Sequence, residues 1–394
     1  MKLAVLALGD ASSVRTWSGT PYFMERALRS RFPDLLAVSA PQPKWQTFLR
    51  RAVRKATGGR IDLAWSATLS KWNAGRLIRL LKSERIDVVL AVGCAPLSAY
   101  IGAHMPTIHV SDATVPLMLD YYADFSRLLK SFAERAVILD KTSVLRARIA
   151  LFSTEWSASS AIRDYGADPS RVHIIPWGCN IDDADIPDGE SRVDSDGPCR
   201  LVFIGVEWER KGGAIAVEAL RKLRADGHNA TLDIVGATPP PEMQGDGVVA
   251  HGFLNKDTSE GREKLRAIMR GASFLFVPTR QDCSPMVFAE ANSFGIPVIT
   301  TDTGGVSGIV RESVNGHMLP IEAGAADYAD LIWKTWSANS YAGMRTSARR
   351  EFEEVSNWGS WATRATPFIQ LASALHSAAS AVPAPSRSGG GQLG

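Results

Sequence analysis

Cysteine is scarce in this 394-residue chain. There are four, Cys94, Cys179, Cys199 and Cys283, and none stands in a Cys-x-x-Cys pair. That excludes the spacing of a zinc knuckle and the framework of a disulfide-stapled domain, and it suits a reducing compartment. Net charge is scarce too. Lys plus Arg is 44 and Asp plus Glu is 41, leaving +3, too balanced for nucleic-acid binding by bulk electrostatics. Long apolar runs are missing. The longest uncharged stretch, from Val88 to Ala103, is interrupted by Gly93, Pro96, Ser98 and Gly102 and is too short to span a bilayer. The opening MKLAVLALGDA is short for a signal peptide and reads better as a first strand, so a cytoplasmic location is expected. That strand is followed by GDASSV, which lacks the Gly-x-Gly-x-x-Gly turn of a dinucleotide-binding dehydrogenase. No lysine motif for a pyridoxal cofactor is seen, and no tandem repeat of 20–50 residues.

What is there is an ordinary globular mixture, 45% hydrophobic and 22% charged. At roughly 150 residues per domain the length suits two or three domains. Short apolar runs alternate with helix-length segments. In the first half the expected strands are 2–8, 34–40, 87–93, 107–111, 150–154 and 173–177. In the second they are 200–205, 230–236, 247–252, 272–278 and 297–302. Helical patterns between them include 22–30 and 73–82. Such alternation predicts parallel sheets buried on both faces, an α/β fold. The segment 182–199 holds seven acids between Asp182 and Asp196, with Pro and Gly and no periodicity. It reads as the linker between two domains, 1–181 and 200–357, and 381–394 reads as a flexible tail.

The chemistry is concentrated in the second half. In TRQDCSPMVFAEANSFGIPVITTDTGG (279–305), Ser284 reads as an N-cap with Pro285 at the first helical position, and Gly295 and Pro297 end the helix. A helix start at a strand's carboxyl end, with free amides from Ser284 to Val287, attracts phosphate. Asp282 and Glu290 bracket it, ~12 Å apart if helical throughout. Hydrolase carboxylates face one bond at about 5 to 9.5 Å, so this pair suits the two ends of an extended ligand such as a nucleotide sugar. An ordinary helix with a solvated Glu290 is the competing reading. In FIGVEWERKGGAIAVEAL (203–220) a strand ends at Gly205 and a loop offers Arg210 and Lys211, cations suited to a leaving diphosphate; a solvated basic pair is the alternative. The glycines of 303–320 permit a tight turn.

Taken together, RKGG, the Asp-x7-Glu helix start, EANSFGIPVITTDTGG and VNGHMLP resemble the retaining glycosyltransferases of family 4. SGTPYFMERAL (18–28) and STEWSASSAIRDYGADPSRVHIIPWGCNID (153–182) extend the resemblance to the first half. It implies the GT-B fold, two Rossmann-like doubly wound domains facing across a cleft, with 358–380 a helix crossing back to the first domain. The expected activity is transfer of a hexose from a UDP- or GDP-linked sugar to an acceptor hydroxyl, with no cofactor and no obligatory metal. Lys211 and Arg210 would hold the donor diphosphate, and Glu290 the ribose. Asp282, where members usually carry Glu, would face the sugar. Backbone at Cys283, Ser284, Pro285, Met286 and Val287 would hold sugar and phosphate, with Gly205 at the strand end. Gly252, Phe253, Leu254 and Arg280 would lie near the base. His109 matches a histidine beside the donor sugar, or is a packed strand histidine. Ser18, Gly19, Thr20 and Asp112 would form the acceptor-side loop. Val206 stands where an arginine is usual, and Gly308 where a carboxylate is common. A non-catalytic nucleotide-sugar-binding protein and an epimerase of the same fold are the competing readings.

One feature is not absorbed by this scheme. PKWQTFLRRAVRKATGGR (43–60) carries six basic residues, no acid, and interleaved Trp45, Phe48, Leu49 and Val53. It is either a helix packing its apolar side on the sheet, the commoner outcome, or a basic amphipathic helix at the inner face of an anionic membrane, suited to a lipid-linked acceptor.

Overall fold

A computed structural model describes residues 1–40, 43–189 and 197–381, with side chains through 375. The middle of the acidic linker and the tail from 382 onward lie outside the described residues. Two six-stranded sheets form, and every strand pair in them is parallel. The first contains β1 (Leu3–Ala7), β2 (Leu36–Ser39), β3 (Val88–Val92), β4 (Thr107–Ser111), β5 (Ile149–Phe152) and β6 (Val172–Ile174), in the order β2-β1-β3-β4-β5-β6. The second contains β7 (Cys199–Gly205), β8 (Ala230–Gly236), β9 (Val248–Gly252), β10 (Phe274–Val277), β11 (Val298–Thr301) and β12 (Gly316–Leu319), in the order β12-β11-β10-β7-β8-β9.

Strands β1, β3, β5, β10 and β11 are buried at every position. Helices on both faces of each sheet are why these strands read as continuous apolar runs. The strand order reverses between β1 and β3 in the first sheet and between β7 and β10 in the second. Open α/β sheets bind ligands at such switch points. β12 is an element that the sequence reading missed. Its short run GHML sits in a segment read as a turn, and pairing with β11 makes it a strand.

The last helix, Trp358–Ala381, returns to the first sheet. Trp361, Ala365, Ile369 and Ala372 recur at helical spacing and share one core with Val5, Leu90 and Val110. The crossing is tied by buried Asn180. Its Oδ1 accepts from Trp358 Nε1 at 3.0 Å and its Nδ2 donates to the Ser18 carbonyl at 2.8 Å. The described part of the acidic linker is anchored to both halves, Asp182 to Arg26 and Asp185 to Arg266 at 2.9 Å. Among the described residues no helix is long and apolar enough to cross a membrane.

Candidate active site

The two sheets present their carboxyl edges to one cleft of about 1610 Å³. Leu8, Gly93 and Asp112 line it from the ends of β1, β3 and β4. Val206, Gly236 and Arg280 line it from the ends of β7, β8 and β10. Both switch points therefore open into the same space.

On the second-domain wall, Lys211 Nζ donates to Asp282 Oδ2 at 2.5 Å, and both side chains are buried. Gly205 makes this possible. A Cβ there would lie 2.8 Å from Lys211 Cγ, so only glycine lets the lysine stem lie across the strand end. Arg210 lines the cleft and is hydrogen-bonded within the same wall. It donates to the Gln281 carbonyl and to Glu207 Oε1, both at 2.8 Å, and its guanidinium stands 5.8 Å from the Tyr122 ring. Arg280 also lines the cleft, and among the described residues it makes no ion pair.

The helix after Asp282 runs from Met286 to Ser293, one residue later than the sequence pattern suggests. Pro285, extended at φ −71° and ψ 96°, is the N-cap, and Ser284 caps nothing. The expected capping role is therefore corrected: a proline at the cap holds the chain extended, and the Ser284 hydroxyl is buried without a partner in the cleft wall. Among the described residues no protein acceptor takes the amides of Cys283, Ser284, Met286 or Val287. The wall thus offers several free donors at one point, the pattern that receives an anion.

Glu290 is buried and paired. Lys256 Nζ donates to both its oxygens at 2.8 Å. Lys256 was not found by sequence reasoning, because it lies in a loop 34 residues upstream with no motif around it. Phe253 and Leu254 line the cleft beside it, Phe253 being 73% exposed, while Gly252 turns the chain ahead of them outside the lining.

The first-domain wall is more apolar. Buried His109 shares a hydrogen bond of 2.9 Å between Nδ1 and Ser143 Oγ, while Nε2 has no partner. Burial lowers its pKa to about 4, so the ring is neutral at pH 7. It lines the cleft and also packs on Phe152 at 5.5 Å. Asp112 is half-buried in the same wall. Burial pushes its carboxyl up to about 7, and the charge of Asp282 adds to this. Of the acceptor-side residues Ser18 and Asp112 reach the cleft, and Gly19 and Thr20 do not. Gly19 caps the helix Thr20–Arg29, and Thr20 Oγ1 accepts from Asn180 at 3.2 Å. Trp17, unmarked in the sequence, lines the cleft instead.

The walls touch through Tyr121. Its hydroxyl accepts the Asp282 amide at 2.8 Å and shares a 2.9 Å hydrogen bond with Thr303. Tyr122 meets Cys283, whose thiol burial keeps protonated. Arg15 crosses the mouth to Asp257 at 2.6 Å. Nearby, a Cβ on Gly308 would stand 2.5 Å from Thr154 Cγ2 of the first domain, so no carboxylate side chain fits there.

Two doubly wound domains with facing switch points are the GT-B architecture. Family models match consecutive stretches, that described as Glycosyltransferase Family 4 over residues 24–183 and that described as Glycosyl transferases group 1 over 198–337. The chain belongs to the group 1 glycosyltransferases. It is 27% identical over 235 residues to a D-inositol 3-phosphate glycosyltransferase of Xylanimonas cellulosilytica, covering 54% of this chain and 56% of that one. It is 25% identical over 166 residues to the lipopolysaccharide glucosyltransferase WaaG of Escherichia coli, covering 40% and 44%. The chain spans about half the length of the curated relatives it matches. The crystal structure of Anabaena HepE in complex with UDP and glucose superposes with a TM-score of 0.62 at 14% identity, over 94% of this chain and 99% of that one. That likeness is one of fold.

Proposed function

We propose that the protein is a retaining hexosyltransferase. It takes a hexose from a nucleotide diphosphate sugar and gives it to an acceptor hydroxyl in glycoconjugate, polysaccharide or glycolipid synthesis, acting from the cytoplasm. The carrying observation is the helix start at Met286, which has no side-chain cap hydrogen bond, in the same cleft wall as Lys211, inside a cleft shared with the other domain. Free amides and a buried ammonium in one cleft wall are suited to a diphosphate that gains charge on leaving. The family membership supports the reaction class. HepE, a structural neighbour, was crystallised with UDP and with UDP-glucose, which favours UDP over GDP as the first nucleotide to test.

The chemistry follows from charge. The bond from the anomeric carbon to the phosphate oxygen breaks as the bond to the acceptor oxygen forms on the same face. The acceptor proton passes to the departing phosphate oxygen. Lys211 and the helix-start amides offset the charge that accumulates there, with no metal required in this scheme. Glu290, freed from Lys256, would accept from the ribose hydroxyls. Asp112, titrating near neutrality on the acceptor side, would orient the acceptor hydroxyl. Closure across Arg15–Asp257 and Tyr121–Asp282 would exclude water and limit donor hydrolysis.

The test is a thermal-shift screen with UDP, GDP and ADP, followed by NMR of the product's anomeric configuration with the donor that binds. A raised Tm with UDP and a retained anomer are expected. An inverted product overturns the mechanism. Binding with no turnover on any acceptor points to a non-catalytic nucleotide-sugar binder, and a changed donor sugar without transfer points to an epimerase.

A further inference from the structure

The segment 43–60 does not pack its apolar side on the sheet. The helix Lys44–Ala56 buries only Gln46, with Arg50 and Val53 half-buried on the same side. Its apolar positions 45, 48, 49, 52 and 56 recur at i, i+3, i+4, i+7 and i+11 and therefore share one face, turned roughly a quarter of the way round the helix from the buried side. That face looks outward: Phe48 is 74% exposed and Trp45 is 55% exposed. Lys44, Arg51 and Lys55 flank it along one edge, all exposed, and among the described residues none is in an ion pair. The apolar stripe that would bind a core is thus turned to solvent and edged with cations.

The neighbouring helix Ala67–Ser83 extends the surface. Trp72, 47% exposed, stands 6.3 Å from Trp45, and Arg76 lies over its ring at 5.1 Å. Lys71, Arg79 and Lys82 add exposed charge, and neither helix contains an acid. A chain of net charge +3 has gathered an unbalanced positive patch around exposed tryptophan and phenylalanine. Like charges would repel a second copy of the same face. A nucleic acid would be met by cations and rings, but it has no use for the Leu49, Ala52 and Ala56 stripe.

We propose that this face docks on an anionic lipid bilayer. Trp45, Phe48 and Leu49 would enter the headgroup and acyl boundary, while Lys44, Arg51 and Lys55 meet lipid phosphates. The surface also borders the cleft. The turn Leu63–Trp65 follows the basic helix, and Trp65, packed on Phe125 at 6.3 Å, lines the cleft with it. Resting on the proposed transferase reading, this orientation presents the first-domain side of the mouth to acceptors whose hydroxyl headgroups are anchored in the bilayer.

The test is flotation of the full chain with vesicles of phosphatidylcholine alone or with 40% phosphatidylglycerol, at low and high salt. Co-flotation with the anionic vesicles only, weakened by salt, is expected. Phe48→Ser with Trp45→Ser, and separately Lys44→Glu, Arg51→Glu and Lys55→Glu together, should each reduce it at least tenfold. Circular dichroism should be unchanged in both variants, since the substituted groups touch solvent. No flotation with anionic vesicles overturns the proposal, as does flotation undiminished by either set. Fluorescence-polarisation titration with a single-stranded RNA is the parallel arm. RNA binding lost in the charge variant, with vesicle binding unaffected by the aromatic changes, would reassign the face to a polyanion. The UDP thermal shift is measured on the same samples. A positive shift without flotation sinks the docking surface and leaves the nucleotide site standing; flotation without a shift does the reverse.

Discussion

Lys211 and Asp282 neutralise one another inside the cleft wall, so on the proposed reading an incoming diphosphate would compete with a carboxylate for the ammonium. Asp282→Asn is therefore expected to bind UDP several-fold tighter, by calorimetry, while transferring more slowly. Lys211→Ala should lower kcat a hundredfold or more, on the scale of about 3 kcal/mol for a lost charge-stabilising donor. It should also lower Tm, because a buried carboxylate loses its partner. Near-normal turnover in Lys211→Ala would remove this lysine from the reaction. Two buried groups set opposed pH dependences. His109 titrates at about 4 in the folded protein against about 6.5 in the unfolded chain. The unfolded state therefore binds more protons between those values, and stability rises with pH there. Asp140 accepts from Val115 N at 2.9 Å and Tyr165 Oη at 2.6 Å, yet burial pushes it up to about 6. The folded state then holds the extra proton above about 4, and stability falls toward pH 6. Urea melts from pH 4.5 to 6.5 should show His109→Gln losing the rising contribution and Asp140→Asn losing the falling one. Profiles parallel to wild type in both variants would contradict these assignments.

At the scale of elements, the loop between β10 and the Met286–Ser293 helix is held from outside its own domain. Its Asp282 amide has no acceptor in the second domain and finds Tyr121 instead. Tyr121→Phe should leave that amide unpaired in a part-buried site. An unmade hydrogen bond of this kind costs about 1–3 kcal/mol, so transfer should fall about tenfold or more with the UDP thermal shift retained. Wild-type kinetics would show that the contact does not position the loop. The motif on this element is local, and the sequence displayed it. Its cap was misread because Ser-Pro satisfies the usual cap pattern, while the actual backbone puts proline itself at the cap and leaves the serine hydroxyl buried without a partner. The helix Lys44–Ala56 is the other instructive case. Its periodicity was evident, but periodicity names a face without saying what that face meets.

For the whole molecule, the two domains share a contact at Gly308, where Thr154 occupies the space a side chain would need. Gly308→Asp should destabilise the protein by about 1–3 kcal/mol, as overpacking does, and Thr154→Gly in the same chain should recover part of that loss. Strict additivity of the two in chemical melts would mean that the residues are uncoupled. The returning helix Trp358–Ala381 makes the domains interdependent in another way. Its Trp361, Ala365 and Ile369 complete the core of the first sheet after the chain has already built the second.

Strand runs, parallel sheets, the switch-point helix and the residues of the second-domain wall are written in local pattern, because burial on both faces and helix starts depend on near neighbours in the chain. Lys256 on Glu290, Tyr121 on Asp282, the Lys211–Asp282 pair and Thr154 against Gly308 join residues 34 to 161 positions apart. No spacing rule reaches that far. Those partners, and the outward turn of Trp45 and Phe48, were decided only when the sheets faced each other and the remaining surface had to be shared between core and solvent.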